Sequence, residues 1–184
     1  MFKSPTLILL VLGFFSISVN SFAADTLLYS TGDKYIGQLK NGIPDGTGEM
    51  YWITGDVYLG NFKYGVISGQ GTMKWFGGNT YSGSWKNAIP NGSGKMTWPN
   101  GDIYEGEWRY EKRHGQGTMK WGAGGTYSGK WKDDAQHGKG IMKWATGDVY
   151  NGQWKMGQIS GKGTMRYASG ITTKGKWLNG IFQL

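Results

Sequence analysis

Cysteine is missing from the 184-residue chain, and proline occurs only 4 times. Without cysteine there is no disulfide framework, no thiolate metal site and no cysteine for a lipid anchor. So little proline excludes a proline-rich linker, and glycine does not recur at every third position, which excludes a collagen helix. Histidine is nearly absent, with 2 copies, His114 and His137. Acidic residues thin out along the chain. Residues 25–111 carry 7 Lys/Arg and 9 Asp/Glu, a net of −2, whereas residues 112–184 carry 12 and 3, a net of +9. Asymmetry of this kind points to an anionic partner for the C-terminal half.

There is one long apolar run, "LILLVLGFFSISV" from Leu7 to Val19. Lys3 precedes it, and "NSFAAD" follows with Ser21 and Ala23 at small-residue cleavage positions. The pattern predicts a cleavable secretory signal peptide over residues 1–24. The run is shorter than the ~20 residues a helix needs to span a bilayer, so no transmembrane span is expected after cleavage. The mature chain, residues 25–184, is expected to be secreted or periplasmic, with no disulfide to stabilise it.

What is abundant is glycine, with 34 copies, and tryptophan, with 10. Both are spaced by a ruler of 23 residues. Tyr35, Tyr58, Tyr81, Tyr104, Tyr127 and Tyr150 recur at that interval without a gap. Two residues after each comes Gly, and two further on a large apolar residue: Leu39, Phe62, Trp85, Trp108, Trp131 and Trp154. A Gly-x-Gly pair follows, such as Gly46 and Gly48 or Gly115 and Gly117, then a Met row from Met50 to Met165, then Trp52, Trp75, Trp98, Trp121, Trp144 and Tyr167. Six full repeats cover about residues 32–169. Leu27, Tyr29 and Gly32 fit a partial copy before them, and Gly175 and Trp177 fit one after, with Thr173 in place of Tyr. The mature chain is therefore read as almost entirely repeat, leaving no room for a separate catalytic domain.

Within a repeat the spacing is two, as in Tyr-x-Gly-x-Trp, which is strand periodicity. "WITGD" and "WPNGD" carry turn residues. Each repeat thus predicts one β-hairpin, and the hairpins pair edge to edge into an all-β, single-layer, elongated antiparallel meander of about 14 strands. The glycine rows provide a floor on which large rings can lie. Glycine in a strand costs roughly 0.5–1 kcal/mol, and a buried large apolar side chain returns roughly 1.5–3 kcal/mol, so the ring term wins.

"YEGEWRYEKRHGQG", Tyr104 to Gly117, resembles the MORN motif (membrane occupation and recognition nexus), and the resemblance covers about residues 27–180. It implies an elongated meander of hairpins and a scaffold or binding role, with phospholipid binding, dimerisation and protein docking among the family's properties. The export signal departs from the better-known intracellular members, so a phosphoinositide ligand does not carry over.

Chemistry-bearing motifs are few. No Gly-Lys is followed by Ser or Thr, so Gly-x-Gly is not a phosphate loop. His114 and His137 share one register with Asp45, Ser68, Asn91 and Ser160 and read as loop residues that shape a turn. Asp33, Asp56, Asp102 and Asp148 form a row two before the Tyr; it reads as turn capping, since calcium needs six to eight oxygens around one ion. No catalytic residue, metal site or cofactor is predicted, and the chain is read as non-enzymatic.

The basic rows carry the functional expectation. Lys40, Lys63, Lys86, Arg109, Lys132 and Lys155 lie five after each Tyr, and Lys74, Lys120, Lys143 and Arg166 lie sixteen after. Both registers point away from the aromatic face and form a candidate anion- or membrane-binding stripe. The expected partner is a protein, an anionic lipid or an envelope polymer; the export signal argues against nucleic acid. The end strands, with Ile181, Phe182 and Leu184, allow a homodimer. A second reading is a glycan-binding module whose aromatic trough comprises Tyr81, Trp85, Tyr104, Trp108, Tyr127, Trp131, Tyr150 and Trp154. A hydrolase with an unrecognised site is a remote third.

Overall fold

A computed structural model describes residues 24–184; the predicted signal peptide lies outside the described residues except for Ala24. The described residues form one open sheet of fifteen antiparallel strands, each hydrogen-bonded to the next in chain order. The strands are β1 (Asp25–Leu28), β2 (Lys34–Lys40), β3 (Ile43–Tyr51), β4 (Val57–Lys63), β5 (Val66–Lys74), β6 (Thr80–Lys86), β7 (Ile89–Thr97) and β8 (Ile103–Arg109). They continue as β9 (Lys112–Lys120), β10 (Thr126–Lys132), β11 (Ala135–Lys143), β12 (Val149–Lys155), β13 (Gln158–Arg166), β14 (Thr172–Leu178) and β15 (Ile181–Gln183).

Each repeat spends its 23 residues as a seven-residue strand, a two-residue turn, a nine-residue strand and a five-residue turn. The short turn has positive φ at both residues, as at Asn41 (52°) and Gly42 (75°). Such turns match the right-handed twist of the strands they join. The unequal strand lengths are reconciled at the Gly-x-Gly pair. Gly60 faces Gly71 but Phe62 faces Ile67, so the longer strand absorbs two residues in a bulge. The first glycine of the pair sits there with positive φ (Gly69, 77°). The second has a different reason. A Cβ on Gly71 would stand 2.1 Å from the Tyr58 hydroxyl oxygen and 2.4 Å from its ring.

That ring is one of a row. Tyr35, Tyr58, Tyr81, Tyr104, Tyr127 and Tyr150 are fully buried. Each phenol donates a hydrogen bond to the backbone carbonyl three residues on, as Tyr81 does to Ser84 at 3.0 Å. Tyr35 packs edge-to-face against Phe62, and each later tyrosine against two rings. Tyr81 meets Trp85 of its own strand at 4.9 Å and Trp108 of the next repeat at 5.5 Å. The indole Nε1 of Trp85, Trp108, Trp131, Trp154 and Trp177 donates back to the carbonyls of Gly71, Gly94, Gly117, Gly140 and Gly163. The ladder of rings runs without interruption from Tyr35 to Phe182. A single-layer sheet thereby acquires a core on one face, made of rings seated on glycine backbone.

The strand count is fifteen rather than about fourteen because the last partial repeat completes a hairpin through Asn179 and Gly180. Thr173 provides no ring there. Phe182 supplies one from β15: it packs on Trp177 at 5.2 Å, and its ring covers Gly175, whose added Cβ would meet it at 2.7 Å.

Candidate binding face

The aspartate row staples one repeat to the next. Asp33, Asp56, Asp102 and Asp148 accept, through Oδ1, the backbone N–H of Ile53, Phe76, Gly122 and Ala168 at 2.8–2.9 Å. Each carboxylate therefore caps the long turn of the following hairpin.

The eight rings predicted to line a glycan trough do not form one. Tyr81, Trp85, Tyr104, Trp108, Tyr127, Trp131, Tyr150 and Trp154 are all buried. Their faces and edges are occupied by one another and by glycine backbone, so no ring face is free to stack on a sugar. The partly buried row of Trp98 and Trp121 borders a 610 Å³ groove on this face instead.

That groove holds a residue the repeat pattern does not foreshadow. Pro44, Ile67, Pro90 and Ile159 occupy a position facing the ring ladder, and Arg113 takes it in the fourth repeat. Its guanidinium lies 4.6 Å from the Trp131 ring centre. Its Nε donates to Asp134 Oδ1 at 3.0 Å and its Nη2 to the Asp134 carbonyl at 3.0 Å. Asp134 is held in the left-handed region at φ 70°. An apolar contact is thus replaced by a stacked ion pair that ties two adjacent tight turns.

The opposite face is polar and open. Down its middle run Thr47, Asn61, Gln70, Thr72, Ser82 and Ser93, bordering a depression of about 750 Å³ that also takes in the glycine backbone. Hydrogen bonds cross it, from Gln70 Nε2 to Ser84 at 2.8 Å and from Thr72 to Ser82 at 2.9 Å. The side-chain oxygens of Gln38, Asn61, Glu107 and Gln153 accept the bulge amides of Thr47, Gln70, Gln116 and Lys162 at 2.7–3.1 Å. The predicted basic residues are all exposed. Lys40, Lys63, Lys86, Arg109, Lys132 and Lys155 end their strands beside the tight turns, and Lys74, Lys120, Lys143 and Arg166 end theirs at the long turns. The two rows therefore flank the polar face along opposite long margins.

Lys130, Lys139, Lys162, Lys174 and Lys176 also lie on this face and are outside the sequence expectation. Their signal in the sequence is variation where the ruler is otherwise constant, since the equivalent positions in earlier repeats are mostly neutral. The two histidines also sit differently from expectation. His114 and His137 lie in strands β9 and β11, at the bulge, not in a loop. His114 Nδ1 is 3.8 Å from Asp133 Oδ1.

The chain shows low-identity likeness to solved structures. The SAS-4 (dCPAP) TCP domain of Drosophila melanogaster, in complex with a proline-rich motif of Ana2, is 12% identical over 87% of this chain and 94% of that one, with a TM-score of 0.46. The TCP10 domain of Danio rerio CPAP, in complex with a STIL peptide, is 11% identical over 84% of each chain, with a TM-score of 0.27. No curated protein sequence matches the chain. The MORN repeat profile matches six times in succession, over residues 35–57, 58–80, 81–103, 104–126, 127–149 and 150–172. With tyrosine and glycine in the same role in every matched hairpin, and tryptophan in the ring ladder from the third onward, the chain belongs to the MORN repeat family.

Proposed function

We propose that this chain is an exported, non-catalytic docking scaffold whose polar face engages an anionic partner at the cell envelope. MORN repeats support a binding or scaffold role. The observation that carries the anionic reading is the division of the sheet into two faces. One face is consumed by the ring ladder. The other is open, polar and flanked on both margins by exposed Lys and Arg. Near an anionic surface each cation contributes roughly 1 kcal/mol.

Salt tests the reading. Association of the mature chain with anionic envelope material should be strong at low ionic strength and collapse as screening shortens to a few ångström near 1 M salt. Salt-insensitive association would overturn it. Export has its own readout: mass spectrometry of the secreted or periplasmic fraction should find a chain beginning near Asp25. Among the described residues β1 and β15 are the end strands of the sheet, and these ends, with Leu178 and Ile181 exposed beside the latter, support a second, compatible property, pairing of two copies at a sheet end. Sedimentation across a concentration series should then show a dimer; a monomer at every concentration excludes it.

A further inference from the structure

Resting on the docking reading above, we propose that the polar face over β10–β14 is a binding site for a linear, phosphate-bearing polymer that carries no bases. The site is one row of side chains crossing five consecutive strands: Lys130, Lys139, Gln153, Lys162 and Lys176. Strand pairing places them in line. Lys139 faces Gln153 and Lys162 faces Lys176, while bulges lie between Lys130 and Lys139 and between Gln153 and Lys162. At ~4.8 Å per strand the row is roughly 19 Å long.

The earlier repeats are an internal control on what the fold requires. The same row reads Gln38, Thr47, Asn61, Gln70, Ser84 and Ser93 in the first three repeats. Neutral side chains therefore satisfy the architecture, and the lysines are not a demand of folding. Indeed they work against it. Lys162 and Lys176 are direct cross-strand partners, and like charges in that relation are destabilising. No Asp or Glu occurs in any strand from β10 to β15 to relieve them. The acidic residues of this face, Glu49, Glu105 and Glu107, all precede it.

A second feature sharpens the site. Gln38, Asn61, Glu107 and Gln153 each accept a bulge amide. Lys130 stands at the equivalent position, and an ammonium group cannot accept a hydrogen bond. The Lys139 amide is thus left without that side-chain acceptor, in a row that carries lysine on both strands. An anionic oxygen placed there fills the missing acceptor's role. Further along, Lys162, Lys174, Lys176 and Thr164 border a depression of about 320 Å³ over the backbone of Gly163 and Gly175.

The chemistry selects the ligand. The row's cations are all lysine, compact point charges that suit tetrahedral oxyanions, whereas planar carboxylates favour the arginine fork. The central file of charge, running across the strands between the two basic margins, matches a chain, whereas a planar bilayer would engage the Lys40 and Lys63 margin as readily. Bases would need aromatic faces to stack on, and Tyr127, Trp131 and Trp154 are buried against the other side of the sheet.

The mature chain would be titrated at low salt with linear inorganic polyphosphate, with phosphatidylglycerol vesicles and with a single-stranded oligonucleotide. Lys162→Gln/Lys176→Gln should weaken polyphosphate binding about 30-fold, taking the contribution of each cation near an anionic surface. Glutamine is the residue at the position of Lys162 in two earlier repeats, Gln70 and Gln116, so this variant keeps the fold. Lys34→Gln/Lys95→Gln, an equal loss of charge over β2 and β7, should change binding less than about twofold, since these exposed side chains lie outside the row. Equal losses in the two variants would overturn the row as a site while leaving anionic docking intact. Vesicles or the oligonucleotide binding more tightly than polyphosphate would overturn the ligand class. Failure of all three probes to bind would remove the docking reading as well.

Discussion

Glycine 106 illustrates how little freedom a single position has in this sheet. A Cβ there would stand 2.5 Å from Gly117 Cα, 2.6 Å from the Gln116 carbonyl oxygen and 2.7 Å from the Tyr104 hydroxyl. Two of the three are backbone and cannot swing aside. Gly106→Val should cost about 3 kcal/mol, the upper end for overpacking, whereas Glu105→Val on the open face should stay within about 0.5 kcal/mol. Urea midpoints of the two variants check this, and similar shifts would contradict ring seating on bare backbone. The tyrosines add a pH signature. Burial raises the phenols of Tyr58, Tyr81 and Tyr127 to about 12 and pushes that of Tyr104 higher. An unfolded phenol titrates near 10. The folded state holds the proton more tightly, so its advantage is intact below pH ~10 and is lost as pH rises from there towards 12 and beyond. Tyrosinate absorbance from the core rings should therefore appear only above the pH at which a free phenol ionises, near 10, and together with loss of the fold. Early ionisation of every tyrosine in a still-folded chain would be the contrary result.

Each hairpin is held by its turns as much as by its rings. Three consecutive tight turns place a non-glycine residue, Ala88, Glu111 or Asp134, in the left-handed region at φ 62–70°. Their amides nevertheless bond back to the carbonyls of Ile67, Pro90 and Arg113 in the preceding hairpin at 2.9–3.1 Å. The long turns are tied in the same forward-and-back manner by the aspartate row. Asp102→Ala removes the acceptor for the Gly122 amide, a 2.8 Å bond, and should cost about 1 kcal/mol, as loss of a helix-capping side chain does. Amide exchange at Gly122 should quicken while that of β4 and β5 stays as it was. An unchanged Gly122 rate would show the staple to be idle. The repeats with Asn79 or Gly125 in place of Asp already show that the turn forms without it, so the loss is one of tightness, not of fold.

Among the described residues, every strand pairs only with its chain neighbours. Stability is then close to a sum of repeat and interface contributions, and damage at one end does not travel far. Removing residues 172–184 takes away Trp177, which covers Tyr150 at 5.8 Å and bonds the Gly163 carbonyl. Exchange protection should fall in β12 and β13 and remain in β2–β9. Uniform loss along the sheet would mean that the array is cooperative over its whole length.

Most of this architecture is legible in the residues alone, because a 23-residue ruler without insertions repeats one solution and a spacing of two can only be a strand. The ring-on-glycine core follows from the same rows, since a ring and a bare backbone are complementary wherever they recur. The binding face is less legible. Which rings are free depends on how adjacent hairpins register, and the bulge at Gly-x-Gly brings each Trp over the glycine of the preceding hairpin, which closes the trough that alternation left open to a sugar. Likewise Lys130, Lys139, Lys162 and Lys176 come from four strands of different phase. They lie 9 to 23 residues apart in the chain, and only the antiparallel pairing, with its two-residue bulges, brings them into one line.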